Sequence, residues 1–114
     1  MHALIIEADA IVALAIEDSL REFGFDSFAF ATTAGEAVAS AEGLCPDLIT
    51  ADMHLSAGCG IEAVQSICSH KTIPVVFVSE AAREIQRRVP AAIAVRKPFP
   101  SSMLAQAVAA ARAA

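Results

Sequence analysis

Short apolar runs alternate along the chain with longer segments in which apolar residues recur at helical spacing. The short runs predict strands at residues 3–6, 27–31, 47–51, 74–78 and 91–95. The longer segments predict helices at about residues 12–23, 33–43, 61–69, 81–88 and from 101 to the end of the chain. Because nearly continuous apolar strands alternate with helices, we expect an α/β fold with a parallel sheet covered on both faces.

Local signals mark the ends of several of these helices. Thr33 and Glu36 have the spacing of a capping box at the start of the second helix. Gly24 follows the first helical stretch, where a left-handed residue often ends a helix. Val89 precedes a proline and should close the fourth helix, since that position disfavours helical backbone.

The length of 114 residues suits one domain that can bury a core without disulfides or a structural metal. We therefore expect a single domain over residues 1–114, with no output domain in this chain. Hydrophobic residues make up 56% of the chain, but no apolar run approaches the roughly 20 residues that span a bilayer. The N-terminus has no secretory signal pattern, so we expect a cytoplasmic protein that does not enter the membrane.

The cysteines and the charge balance argue against several kinds of site. Three cysteines without a C-x-x-C motif do not suggest a disulfide framework or a zinc site, and they suit a reducing cytosol. The formal net charge of −5, without a basic cluster, argues against direct binding of nucleic acid. A small protein or a cation is a more natural partner.

Four of the five predicted strands are followed by a side chain that can bind, donate or attack. These residues are Glu7, Asp52, Ser79 and Lys97. Taken singly, each is better explained as the solvated start of a loop. Ligands of doubly wound sheets bind beyond the carboxyl ends of the strands, however, so the combination favours one shared site.

Glu7 and Asp52 can share a site only if a cation lies near them. Two carboxylates about 5 Å apart repel by roughly 3 kcal/mol at an effective dielectric constant of about 20. Lys97 would supply one cation and a divalent metal another, and oxygen ligands without histidine or cysteine suit Mg²⁺. Asp52 could then attack a phosphoryl group, whose oxygens Lys97, the metal and the Ser79 hydroxyl would hold.

The segments LIIEAD, PDLITADMHL, GIEAV, PVVFVSE and RKPF resemble, in order and separation, the receiver domain of two-component response regulators. The likeness covers essentially the whole chain. Its most specific parts are the strand that ends in Asp52, the Ser79 after PVVFV, and the triplet Lys97-Pro98-Phe99. The resemblance implies a flavodoxin-like, CheY-like fold with strand order 2-1-3-4-5 and five helices.

The resemblance also implies a role for each matching residue. Asp52 would accept a phosphoryl group from a sensor histidine kinase or a histidine phosphotransfer protein. Ser79 and Lys97 match the hydroxyl and the lysine that respond to the phosphorylated state. The peptide between Lys97 and Pro98 would be cis, as is common in the family and otherwise uncommon.

The same resemblance implies a magnesium site with an altered set of ligands. Glu7, Asp52 and the backbone carbonyl of His54 match the family's metal ligands, whereas the His54 imidazole is expected to be a loop side chain. The family places two adjacent acids after the first strand, but here Ala8 follows Glu7, so we expect weak Mg²⁺ binding. Asp9 is either a substitute ligand or, as its position favours, the N-cap of the first helix.

Two further departures lie in the second half of the chain. Ala94 stands where many receivers have an aromatic side chain that moves inward on phosphorylation, which puts that route of signal transmission in doubt. The stretch from Ser79 to Lys97 is about one helical turn shorter than is common, so the fourth helix should be short. Together with the ALII strand and the IVALAIEDSL helix, this shortening resembles the pattern of a subgroup that includes the receiver half of anti-sigma antagonists of the bacterial general stress response.

Two functions remain open, neither of them enzymatic. The first is a single-domain response regulator that is phosphorylated on Asp52 and acts by docking to other proteins. The second, suggested by Ala8 and Ala94, is a degenerate receiver that works as a phosphorylation-independent interaction module. A phosphatase with an aspartyl nucleophile is disfavoured, because His54 stands where such enzymes often carry a general acid.

The oligomeric state is also open. Receivers often pair through the face made by the last two strands and helices. Ile85, Met103 and Val108 could contribute to such a homodimer, but core packing explains these three residues equally well.

Overall fold

A computed structural model of the chain describes residues 1–113. The strands are β1 (His2–Ile6), β2 (Ser27–Ala31), β3 (Leu48–Ala51), β4 (Val75–Ser79) and β5 (Ile93–Arg96). The helices are α1 (Ala10–Glu22), α2 (Ala34–Gly43), α3 (Gly60–Ile67), α4 (Ala82–Arg88) and α5 (Ser101–Ala113). The ten elements follow one another in the predicted order.

The strands form one parallel sheet in the order β2-β1-β3-β4-β5, which confirms the expected fold. Helices α1 and α5 cover one face of the sheet, and α2, α3 and α4 cover the other. On β1, Ala3 and Ile5 pack toward the first pair of helices, whereas Leu4 and Ile6 pack toward the other three. Successive side chains of a strand point to opposite faces, so the apolar run of β1 serves two cores at once.

The predicted helix ends are present, with one change in the capping box. The Thr33 hydroxyl accepts a hydrogen bond from the Glu36 N–H at 3.1 Å, as the motif requires. The Glu36 carboxylate, however, accepts from the N–H and the hydroxyl of Thr32, at 2.8 and 2.9 Å, one residue earlier than expected. Gly24 has a φ of +96°, so the left-handed residue after α1 is confirmed.

The starts of the later strands differ from prediction by one or two residues. The prediction began β5 at residue 91, but the strand begins at Ile93. The reason is a turn after α4, in which the Ala92 N–H donates to the Val89 carbonyl at 2.9 Å and is therefore not free to pair with β4. The prediction ended β4 at residue 78, whereas the ladder continues through Ser79, which pairs with Arg96.

Of the three residues considered for a homodimer, two are buried and one is exposed. Ile85 and Val108 are buried in the cores beneath α4 and α5, so core packing is the correct interpretation for these two. Met103 is 49% exposed and stays available for contact. No helix within residues 1–113 combines the length and the hydropathy needed to cross a bilayer.

Gly60 lies where α3 meets the end of β3. Its N–H donates to the Met53 carbonyl at 2.9 Å, and a Cβ added at this position would lie 1.7 Å from the backbone oxygen of Asp52. No side chain can occupy that space without moving backbone. The first turn of α3 is therefore held directly against the residue that ends the third strand.

We expect Gly60→Ala to lower the free energy of unfolding by about 1–3 kcal/mol, the usual cost of overpacking, because rigid backbone must shift. Urea denaturation followed by circular dichroism measures this change. Gly35→Ala is the matched control, since no atom lies within 4 Å of the added Cβ. In a helix this control should be neutral or stabilising by about 1 kcal/mol. Equal stability of the two variants would contradict the close contact at Gly60.

Candidate functional site

Four polar side chains meet at the C-terminal edge of the sheet. Glu7 directly follows β1, Asp52 directly follows β3, Ser79 is the last residue of β4, and Lys97 directly follows β5. The central strands are held in register, because the Asp52 N–H donates to the Ile6 carbonyl at 3.0 Å. The Lys97 N–H donates to the Ser79 carbonyl at 3.2 Å and fixes the other pair of strand ends. The four residues predicted to share a site thus do share one.

The Lys97 ammonium group bridges the two carboxylates. Its Nζ lies 2.8 Å from Glu7 Oε1 and 2.7 Å from Asp52 Oδ2. Glu7 is 4% exposed and Asp52 is 7% exposed, so both carboxylates are largely removed from water. Breaking a buried pair by removing one partner is costly, which makes Lys97 necessary to this arrangement.

The remaining carboxylate oxygens bond to the backbone of the two adjoining loops. Glu7 Oε2 accepts from the Asp9 N–H at 3.0 Å, and Asp52 Oδ1 accepts from the His54 N–H at 3.3 Å. Each carboxylate is therefore oriented by one charged donor and one amide. The loops after β1 and β3 are shaped by the acids that they carry.

The pKa of Asp52 lies below its ordinary value. Burial raises this pKa, but the hydrogen bond and charge of Lys97, the nearby Ser79 hydroxyl and the His54 amide together outweigh the burial. The pKa of Lys97 lies above its ordinary value, since hydrogen bonds to Asp52 and Glu7 outweigh the opposing effect of burial. Asp52 is consequently an anion, and thus a nucleophile, at neutral pH.

Ser79 and the peptide after Lys97 complete the rim of the site. The Ser79 hydroxyl is almost fully buried and accepts a hydrogen bond from the Ala81 N–H at 3.0 Å. That bond fixes the hydroxyl oxygen at the end of β4, on the same edge as Asp52. The peptide between Lys97 and Pro98 is cis, as expected.

Asp9 acts as a helix cap, and the His54 side chain lies in a loop. Asp9 Oδ1 accepts from the N–H groups of Ile11 and Val12, at 2.9 and 3.3 Å, so Asp9 is the N-cap of α1. His54 is exposed, and its contact with the site is made by its backbone N–H. Its imidazole is a loop side chain.

The donors present suit Mg²⁺, although they are few. Glu7 and Asp52 offer carboxylate oxygens to one space, the loop that contains His54 has a backbone carbonyl to add, and Ala8 has no side-chain oxygen. Among residues 1–113, no group of three or more His, Cys, Asp or Glu side chains is arranged to hold a metal. Oxygen donors with several waters are nevertheless what Mg²⁺ prefers, so the residues fit a magnesium ion.

One contact beside the site could not be predicted from the sequence pattern. Arg88 Nη1, at the end of α4, lies 3.7 Å from the sulfur of Met53, the residue after Asp52. Both side chains are long and flexible, and they lie 35 positions apart in the chain. Only the folded arrangement, in which α4 packs against β4 and β5, brings them together.

Comparison with known families agrees with this geometry. The model of the response regulator receiver domain matches residues 3–109. The chain belongs to this family.

The receiver matches the transcriptional regulatory protein PdtaR of Mycobacterium tuberculosis, with 32% identity over 111 residues. The match covers 94% of this chain and 54% of PdtaR. It also matches a protein-glutamate methylesterase of Archaeoglobus fulgidus, with 32% identity over 74% of this chain and 24% of that protein. The receiver thus spans about half, or less, of these relatives.

Solved structures place the receiver beside those of stress-response regulators. The receiver domain of PhyR from Erythrobacter litoralis superposes with a TM-score of 0.85 and 30% identity, over 96% of this chain and 88% of that one. PhyR from Brucella abortus gives a TM-score of 0.85 and 32% identity, over 97% of this chain and 46% of that one. PhyR of Bartonella quintana is described as an anti-anti-sigma factor. The resemblance to the general stress response subgroup is therefore confirmed.

A more distant structure shares the fold of the receiver. The receiver domain of the sensor histidine kinase PA1611 of Pseudomonas aeruginosa gives a TM-score of 0.83 at 22% identity, over 99% of this chain and 98% of that one. That structure has a magnesium ion coordinated in its active site cleft.

The shifted pKa of Asp52 predicts how stability changes with pH. Because the folded pKa lies below the unfolded value of about 3.9, the contribution of Asp52 is present above that value and is lost as pH falls through the folded pKa. Between about pH 5 and pH 2, wild type should therefore lose stability relative to Asp52→Asn. Urea denaturation at a series of pH values measures the difference.

Lys97 supplies the control for this experiment. In a Lys97→Met background the hydrogen bond that lowers the Asp52 pKa is absent, so the acid-dependent difference should shrink. The pKa of Lys97 is raised, so its own contribution is present below about pH 10.4 and is lost as pH rises through the folded pKa. An acid-dependent difference of the same size in both backgrounds would refute this assignment.

Proposed function

We propose that the receiver works as a single-domain response regulator, which takes a phosphoryl group on Asp52 and signals by docking to other proteins. The observation that carries this proposal is the bridge from Lys97 to Glu7 and Asp52, at 2.8 and 2.7 Å. It keeps a buried carboxylate ionised and places a mobile cation beside it. Phosphoryl transfer to a carboxylate needs both, since catalysis of this reaction is mainly positioning and charge neutralisation.

In the proposed reaction, a carboxylate oxygen of Asp52 attacks phosphorus. The phosphorus–nitrogen bond of a donor phosphohistidine breaks as the new oxygen–phosphorus bond forms, and the histidine leaves with the bonding electrons. The Lys97 ammonium can follow the charge from the Asp52 carboxylate to the phosphoryl oxygens, because it already lies within hydrogen-bond distance of Asp52. The buried Ser79 hydroxyl is placed to donate to one further oxygen.

Magnesium, when bound, would neutralise charge on the phosphoryl oxygens. Glu7, Asp52 and the backbone carbonyl of His54 would hold it, with water filling the other positions. Lys97 already partly neutralises the two acids, and Ala8 contributes no oxygen. We therefore infer that the ion binds weakly and that Lys97 carries more of the neutralisation than in a receiver with adjacent acids.

The donor is proposed to be a sensor histidine kinase or a histidine phosphotransfer protein that docks on α1. Ile11 and Leu14 lie on the outer side of α1 and are 79% and 57% exposed. The Ile11 N–H donates to the Asp9 carboxylate and the Asp9 N–H donates to Glu7, so this apolar patch adjoins the proposed phosphorylation site. Adjacent large apolar side chains at a surface favour contact with a partner protein.

We expect the receiver to gain one phosphoryl group on incubation with acetyl phosphate and Mg²⁺, and Asp52→Asn to gain none. Intact-protein mass spectrometry after rapid acid quenching measures the addition. Labelling of Asp52→Asn to the same extent as wild type, or no labelling of either protein, would overturn the proposal.

Ile11→Asp separates docking from chemistry. It should slow labelling by a phosphorylated kinase from the same genome by about tenfold or more, and should leave labelling by acetyl phosphate unchanged. Leu44→Asp is its matched control, because Leu44 is 56% exposed but lies at the end of α2.

The second candidate is a degenerate receiver that acts as an interaction module without phosphorylation. The observation that favours it is that every oxygen of Glu7 and Asp52 already has an N–H partner without a metal. Such a site is stable as it stands. Under this alternative Mg²⁺ would have negligible affinity, and wild type and Asp52→Ala would bind partners equally.

Restoring the missing acid distinguishes the two candidates. We expect Ala8→Asp to raise Mg²⁺ affinity by about 10 to 100-fold, because a carboxylate returns to an exposed position beside Glu7. The chain has no tryptophan, so amide NMR shifts rather than tryptophan fluorescence should follow the titration.

Ala10→Asp is the matched control for charge. Ala10 is also exposed, but it is the first residue of α1 and follows the N-cap Asp9. It should change the affinity by less than about twofold to threefold, the effect expected of an exposed charge. If wild type shows no Mg²⁺-dependent shifts while Ala8→Asp does, the degenerate receiver is the better description. Millimolar or tighter binding by wild type that disappears in Asp52→Ala supports the phosphorylated regulator.

A further inference from the structure

An apolar groove lies between α3 and α4, on the face of the sheet that carries these helices. Its volume is about 500 Å³, within the range of specific binding sites. We call it the α3–α4 groove and define it by its principal lining residues, which are Ile61, Val64, Phe77, Val89, Ala92 and Ile93. None of the residues lining it belongs to the cluster around Asp52.

The groove exists because α4 is too short to cover the strands beneath it. A helix of 7 residues, as α4 is, extends about 10 Å, whereas the 5 residues of β4 extend about 16 Å. The chain therefore leaves α4 at Val89 before the start of β4 is covered. Val89, Ala92 and Ile93 are consequently only partly buried, although all three are apolar.

One charged residue lines the groove, and it is a cation. The chain carries 13 acidic and 8 basic residues, yet Lys71 is the one charged residue among those lining the groove. Arg87 and Arg88 form the last turn of α4, directly before Val89, and both are exposed. An apolar floor with one cation in its lining, reached in the chain directly after the two arginines of α4, is complementary to apolar side chains that are accompanied by carboxylates.

We propose that the α3–α4 groove binds an acidic, apolar segment of a partner protein. Large aliphatic side chains of the segment would enter the groove, and its carboxylates would face Lys71, Arg87 and Arg88. An amphipathic segment fits better than a compact ligand, because cations at the rim meet groups that flank the apolar side chains. The proposal is independent of phosphorylation on Asp52, since the groove is formed in the unmodified protein.

The test uses two short synthetic peptides, one of alternating glutamate and leucine pairs and one of alternating lysine and leucine pairs. Each is titrated into ¹⁵N-labelled receiver and followed by amide shifts. The glutamate peptide should shift the amides of Lys71, Val89, Ala92 and Ile93, and the lysine peptide should not. Lys71→Glu should weaken binding of the glutamate peptide by about fivefold to tenfold, as expected of a reversed charge in an interface.

Arg21→Glu is the matched control, because it makes the same change of net charge on exposed α1 and should leave the affinity unchanged. Val89→Ser tests the apolar part without touching a charge and should also weaken binding. Three outcomes would overturn the proposal. They are equal binding of the two peptides, shifts confined to another surface, and a concentration-dependent mass increase on gel filtration that assigns the groove to a second copy of the chain.

Discussion

The position of one ammonium group determines how the functional edge of this protein is built. Lys97 lies 2.8 Å from Glu7 and 2.7 Å from Asp52, and both carboxylates are buried. Without a cation between them, two carboxylates about 5 Å apart would repel by roughly 3 kcal/mol at an effective dielectric constant of about 20. The β1 and β3 strand ends can therefore lie side by side because β5 delivers Lys97 to the same edge. The same contact keeps Asp52 ionised, so the stability of this edge and the charge of Asp52 depend on one interaction.

The short fourth helix bears on two features, the opening over β4 and β5 and the contact beside Asp52. Because α4 ends at Arg88, the starts of β4 and β5 are left partly open, and the chain enters that opening at Val89. Arg88 also contacts the sulfur of Met53, directly after Asp52. Ala94 cannot perform the inward movement of an aromatic side chain. The contact between Arg88 and Met53 joins the end of α4 to the residue after Asp52.

The sequence was sufficient to predict the fold and the polar side chains that lie together at the edge of the sheet. Apolar runs and helical spacing predicted all ten elements, and the polar residues that follow the strands predicted Glu7, Asp52, Ser79 and Lys97 as neighbours. The start of β5 was missed because the turn from Val89 to Ala92 is a backbone hydrogen bond that side chains do not encode. Met53 and Arg88 were missed because a contact between two flexible side chains leaves no pattern. Such contacts depend on tertiary packing, whereas the ends of parallel strands meet by topology alone.

Ala8 changes the balance between the lysine and the metal. In a site with two acids after β1, the three carboxylates including Asp52 would exceed the single charge of Lys97 by two, and a divalent cation would be strongly favoured. Here Glu7 and Asp52 exceed Lys97 by one charge, and each of their oxygens already accepts a hydrogen bond. Asp9 does not restore the difference, because its carboxylate caps α1. Glu7, Asp52 and Lys97 together keep one net negative charge, and an incoming phosphoryl group would add its own negative charge to the attraction for a metal.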